Sequence, residues 1–146
     1  MISKSPVLRF TIDQPYGTAV RLVRRALAEE GLRTPAELDI ADRLKEQLYA
    51  NLAPSLVLFV DDPVLLLEAV MFYPAAALFM PQPIVITSKG RNTEVQVTCR
   101  ESAVESRLPP SVRTSILCLH GMVMRALYSV AVLEDEKAAA YASSAL

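Results

Sequence analysis

The strongest constraint in this chain is a short apolar run that stops abruptly: Pro54-Ser55-Leu56-Val57-Leu58-Phe59-Val60 is followed at once by Asp61-Asp62-Pro63. Five consecutive large apolar side chains leave no polar face, so they read as a buried strand. The Asp-Asp-Pro stop reads as a helix start. The Asp62 carboxylate can accept free amide hydrogens of the first turn, and Pro63 suits the first helical position, where a missing amide proton costs nothing. The helix that follows, residues 64–73, is apolar on almost every side apart from Glu68 and must be covered widely. A strand leading straight into such a helix demands a layered domain of sheet and helices.

The remaining segments supply the layers. Alternation over residues 7–12, with Val7, Phe10 and Ile12, predicts an opening strand. Ala19, Leu22, Val23, Ala26 and Leu27 then recur at helical spacing, with Gly31 placed to cap the helix end. Residues 36–40 alternate as a second strand, and a brief helix with Leu44 and Leu48 on one side follows, capped by Asp39 or Asp42. Residues 84–87 and 94–100 make two strands around the turn-rich Ser88-Lys89-Gly90-Arg91-Asn92, with Val95, Val97 and Cys99 facing inward. Pro109-Pro110 opens a last helix, expected over 110–133, with two apolar stripes: Val112, Ile116, Leu119, Val123, Leu127 and Val130 on one, Leu117, Met124, Tyr128 and Ala131 on the other. One stripe suits a sheet and the other a second chain. A hairpin among these strands favours α+β over a doubly wound parallel sheet. The expected organisation is a single α+β domain over residues 1–133 and a tail over 134–146 that can extend the last helix.

Composition excludes several functions. Fifteen basic residues against sixteen acidic ones leave no field to collect nucleic acid or an anionic membrane. Residues 69–88 carry no charge, but Pro74, Pro81 and Pro83 interrupt them and would strand backbone groups that lipid cannot satisfy. The opening six residues do not read as a secretory signal, and two distant cysteines make no disulfide framework, so a soluble cytoplasmic protein is expected. With only Gly17, Gly31, Gly90 and Gly121, the chain has no dinucleotide fingerprint, Walker loop or nucleophile elbow, and it has no zinc-type Cys/His cluster. No cofactor is called for.

The succession of residues 18–31, Leu38-Asp39, residues 56–63, then Tyr73-Pro74 and Pro81 before a strand and hairpin, resembles the domain of unknown function 302 family over residues 7–130. The resemblance implies a mainly antiparallel sheet of about five strands packed against helices, a homodimer, and no established reaction. The chain departs from the family at polar positions. It has Asp39-Ile40 where members read Asp-His, Val60-Asp61-Asp62-Pro63 where they read Phe-Gly-Asn-Pro, and Phe79-Met80-Pro81 where they read Asp-Leu-Pro. An imidazole can exchange protons near neutrality or bind a metal; Ile40 can do neither.

Five sets of residues are candidates for function. Asp39, Asp61 and Asp62, with Asp42, form an acidic set suited to a hard cation such as magnesium, although capping accounts for Asp62 equally well. His120, the lone histidine, is a candidate general base, set against its apolar neighbours Ile116, Leu119 and Val123. Cys118 is two residues away and so points elsewhere on the helix. Arg21, Arg24 and Arg25, extended by Arg33, form a basic patch for an anion, with Arg25 also spaced to pair with Glu29. Phe72, Tyr73, Phe79 and Met80 are candidates to line a cavity for an apolar small molecule, and Leu117, Met124 and Tyr128 to form a dimer contact. The expected function is a homodimeric binding or interaction protein without a standard catalytic set. The alternatives are a metal-dependent enzyme near Asp39, Asp61 and Asp62, and an apolar small-molecule binder.

Overall fold

Alternation decides which side of each strand is buried, and helices supply the cover on that side. The computed structural model describes residues 6–99 and 107–134. In chain order they form β1 (Val7–Ile12), α1 (Tyr16–Glu29), β2 (Arg33–Asp39), α2 (Ile40–Leu48), β3 (Ser55–Asp61), α3 (Pro63–Phe72), a 3-10 turn (Pro74–Leu78), β4 (Gln82–Lys89), β5 (Asn92–Thr98), α4 (Pro110–Tyr128) and β6 (Val132–Leu133). The six strands make one sheet in the order β2-β3-β4-β5-β1-β6, with every neighbouring pair antiparallel. The fold is a single-domain α+β arrangement, with one strand more than expected.

The registers line up the core in rows. Leu56, Ile86, Val95, Phe10 and Leu133 lie opposite one another across five strands, and Leu58, Ile84 and Val97 form the next row. All are buried, and Phe10, Leu58, Ile84, Ile86 and Val95 are wholly so. Helix α4 covers this face with Val112, Ile116, Leu119, Val123 and Leu127, and α1 with Ala19, Val23, Ala26 and Leu27. Helix α1 ends as a Schellman motif: Gly31 adopts φ +79°, its amide donates to Ala28 O at 2.9 Å, and that of Leu32 to Leu27 O at 3.0 Å.

The opposite face of the sheet is polar only in part. Arg9, Thr11, Glu94, Gln96 and Thr98 occupy the β1–β5 side, whereas Ala36, Leu38, Val57, Phe59, Pro83 and Val85 occupy the β2–β4 side. Val57 and Phe59 are therefore half-exposed, and the apolar run of β3 is buried on one face rather than two. Cys99, expected inside, is also half-exposed.

Two boundaries differ most from the expected ones. β2 begins at Arg33, not Ala36, and passes through Pro35 with a register shift. An edge strand tolerates this because one side of its backbone needs no partner. All seven β2 residues are exposed, and α2 buries none of its nine. Helix α4 stops at Tyr128, not 133. The Ser129 hydroxyl donates to Ala126 O at 2.6 Å and the Ala131 amide to Leu127 O at 2.8 Å, after which β-branched Val132 carries the chain into β6 against β1. The tail beyond 134 lies outside the described residues. Among the described residues, no helix is long and apolar enough to cross a membrane.

Candidate functional site

Asp61 closes β3 and Asp62 opens α3, and their roles diverge. One Asp62 carboxylate oxygen accepts from the amides of Val64 at 2.9 Å and Leu65 at 3.2 Å. It is an N-cap that satisfies two of the helix's free donors. Asp62→Ala is expected to cost about 1 kcal/mol of stability by loss of the cap, read as a lower urea midpoint with an unchanged slope. An unchanged midpoint would show that the cap contributes nothing. Asp61 is only 6% exposed, and its Oδ1 has no hydrogen-bond partner. Burial, with the like charge of Asp62, pushes its carboxyl above the usual range, and Arg33 pulls it partly back.

Gln82 opens β4 opposite Val60, so its side chain lies on the helix-covered face. It is fully buried, and its Nε2 lies 3.2 Å from His120 Nδ1 on α4 while its Oε1 has no partner. A donor amide at Nδ1 ties the sheet to α4, and His120 is half-buried at that joint. Cys118 lies on the exposed side of α4. Sequence reasoning did not single out Gln82. The signal was available: it is an amide held between Pro81 and Pro83 in a stretch without charge.

The acidic set is not brought together. Asp39 lies opposite Leu56 and Asp61 opposite Arg33, at opposite ends of the β2–β3 pair. Five residues of strand separate them, about 17 Å. Among the described residues, no group of three His, Cys, Asp or Glu side chains is placed to hold a metal ion. Asp39 instead caps α2, its Oδ1 accepting from the Asp42 amide at 2.9 Å. Beside it, Asp39, Asp42, Lys45 and Asn51, with Leu52 and Pro54, line a cleft of about 210 Å³. Such a volume is below that of most small-molecule sites. The Tyr16 phenol at the start of α1 is pushed up by burial first, then by Asp39, against the pull of Arg24.

The basic patch is divided in the same way. Arg24 turns toward β2 and pairs with Glu37, while Arg21 and Arg25 stay exposed and the Arg21 guanidinium donates to Thr18 Oγ1 at 3.2 Å. Of the proposed cavity residues, Met80 is core, Tyr73 and Phe79 pack partly against it, and Phe72 is 78% exposed. On α4, Leu117 and Tyr128 are half-exposed, whereas Met124 packs partly against the core.

The largest feature is apolar surface on α3. The helix buries Ala69 and half-buries Leu65, Leu66 and Val70 against the core, but Val64, Leu67 and Met71 form an exposed stripe at helical spacing that Phe72 and Leu78 extend. The wide cover expected for this helix is thus present on one side only.

The model of the family described as domain of unknown function DUF302 matches residues 8–112. Among solved structures, the chain is similar to an uncharacterized conserved protein DUF302 from Bacillus stearothermophilus, with a TM-score of 0.76 and 12% identity over 87% of this chain and 99% of that one. At that identity the likeness concerns the fold. Curated proteins give no match.

Proposed function

Since the chain belongs to the DUF302 family, whose function is not known, we propose that it works by binding rather than by chemistry, as a cytoplasmic homodimer that acts through apolar contact surfaces. One observation carries this reading. Of the large hydrophobic side chains exposed among the described residues, four (Val64, Leu67, Met71 and Phe72) lie on α3, a helix that is otherwise well anchored, and Leu78 follows in the 3-10 turn after it. A monomer rarely leaves so much contiguous apolar surface in water. The divided acidic set and the split arginines support the same reading, because Asp39 and Asp62 are engaged in capping and Arg24 in pairing within the fold. The free thiols of Cys99 and Cys118 suit a reducing compartment.

The test is the mass of the full chain in solution. Light scattering at micromolar concentration is expected to give twice the 16.0 kDa of one chain. A strict monomer would contradict the proposal.

A further inference from the structure

We infer that the outer stripe of α3, with the 3-10 turn that follows it, is the surface on which a second copy of this chain docks, with Val64, Leu67, Met71, Phe72 and Leu78 packing against the same residues of the partner. The inference rests on the homodimer reading and names its surface. The five side chains are 63%, 57%, 73%, 78% and 82% exposed. Together they present roughly 600 Å² of apolar surface, at the top of the range for a monomer and close to the ~800 Å² that each partner buries in a standard interface.

Three further features select the occupant. First, Glu68, exposed on the same side of α3 between Val64 and Phe72, is the only charged residue in positions 63–81, so the surface offers no cation to nucleic acid or to anionic lipid. Second, α3 is firmly held from behind, with Ala69 buried and Leu65, Leu66 and Val70 packed against the core, so its outer side is a preformed contact that pays little ordering entropy. Third, a two-fold contact between identical stripes is self-complementary and needs no matching surface elsewhere on the molecule. The competing surfaces are poorer. On α4, Gly121 and Arg125 lie between Leu117 and Tyr128, which are 49% and 48% exposed. At the end of α2, Leu48, Tyr49 and Leu52 are 69%, 88% and 53% exposed, but they are fewer and are bordered by Lys45 and Glu46.

The experiment measures dimer dissociation by sedimentation for the full-length protein and for Met71→Glu, with Leu117→Glu on α4 and Leu48→Glu on α2 as comparisons. Met71→Glu is expected to weaken the dimer at least tenfold while its circular dichroism and melting stay those of a folded chain. Leu117→Glu and Leu48→Glu are expected to dimerise as the unaltered protein does. Should Met71→Glu fail to fold, the uncharged double variant Leu67→Gln/Met71→Gln takes its place, with the same loss expected. Dimers that survive the α3 substitutions and dissociate with either comparison overturn the assigned surface and leave the homodimer standing. An unaltered protein that is monomeric, whether or not it binds uncharged phosphatidylcholine vesicles, overturns both.

Discussion

Phe10→Ala is expected to cost about 3–5 kcal/mol of stability, the largest effect of any single truncation considered for this fold. Phe10 is wholly buried near the middle of β1, opposite Val95 on one side and Leu133 on the other. Its ring also meets Tyr128 of α4 edge to face, with centroids 5.5 Å apart and planes at 78°. Truncation therefore opens a cavity at the junction of β5, β6 and α4, and the paired backbone limits collapse around it. It also removes an aromatic contact of about 1 kcal/mol. For a domain whose whole stability is on the order of 5–15 kcal/mol, little margin remains. Urea unfolding followed by far-ultraviolet circular dichroism measures the loss. A cost below about 1 kcal/mol would mean that Phe10 is not in the packed centre.

Asp61→Asn should act in the opposite sense and stabilise the protein at neutral pH, because it removes a carboxylate charge that the fold disfavours. The Asp61 carboxyl titrates above its usual value in the folded chain because burial and the neighbouring charge of Asp62 disfavour its ionised form. The folded state thus holds this proton more tightly than the unfolded state does. Its contribution to stability is fully present below the ordinary carboxylate pKa and is lost as pH rises through the raised folded value. Above that value the penalty is constant, and asparagine removes it. Melting at pH 7 should rise in the variant, and the two proteins should converge at acid pH, where the Asp61 carboxyl is protonated. A variant less stable than the parent at pH 7 would show that the carboxylate is satisfied.

Much of the fold was legible because local chemistry and packing agree. Asp62-Pro63 opens α3, Gly31 closes α1, and the stripe from Val112 to Leu127 lies on the sheet, each as periodicity and capping predict. β6 was missed because two residues carry no period, and its existence depends on a non-local pairing with Phe10 and Thr11. The start of β2 was missed because Pro35 reads as a break, yet an edge strand accommodates it.

The site was less legible, since it depends on distance in space. Asp39 and Asp61 both sit at strand ends, but antiparallel pairing puts those ends apart. The exposure of α3 was hidden for a related reason. A helix apolar on all sides reads as covered, and nothing in its sequence says that only one side meets the core.

That half-covered helix makes the central claim thermodynamic: apolar surface exposed in one chain is buried between two. Dilution calorimetry of the full-length protein at several temperatures tests it directly. Burial of apolar surface lowers heat capacity on association, so dissociation should show a heat that rises with temperature, giving a clearly positive heat-capacity change. Heats indistinguishable from buffer dilution, or a dissociation heat that does not change with temperature, would contradict the account.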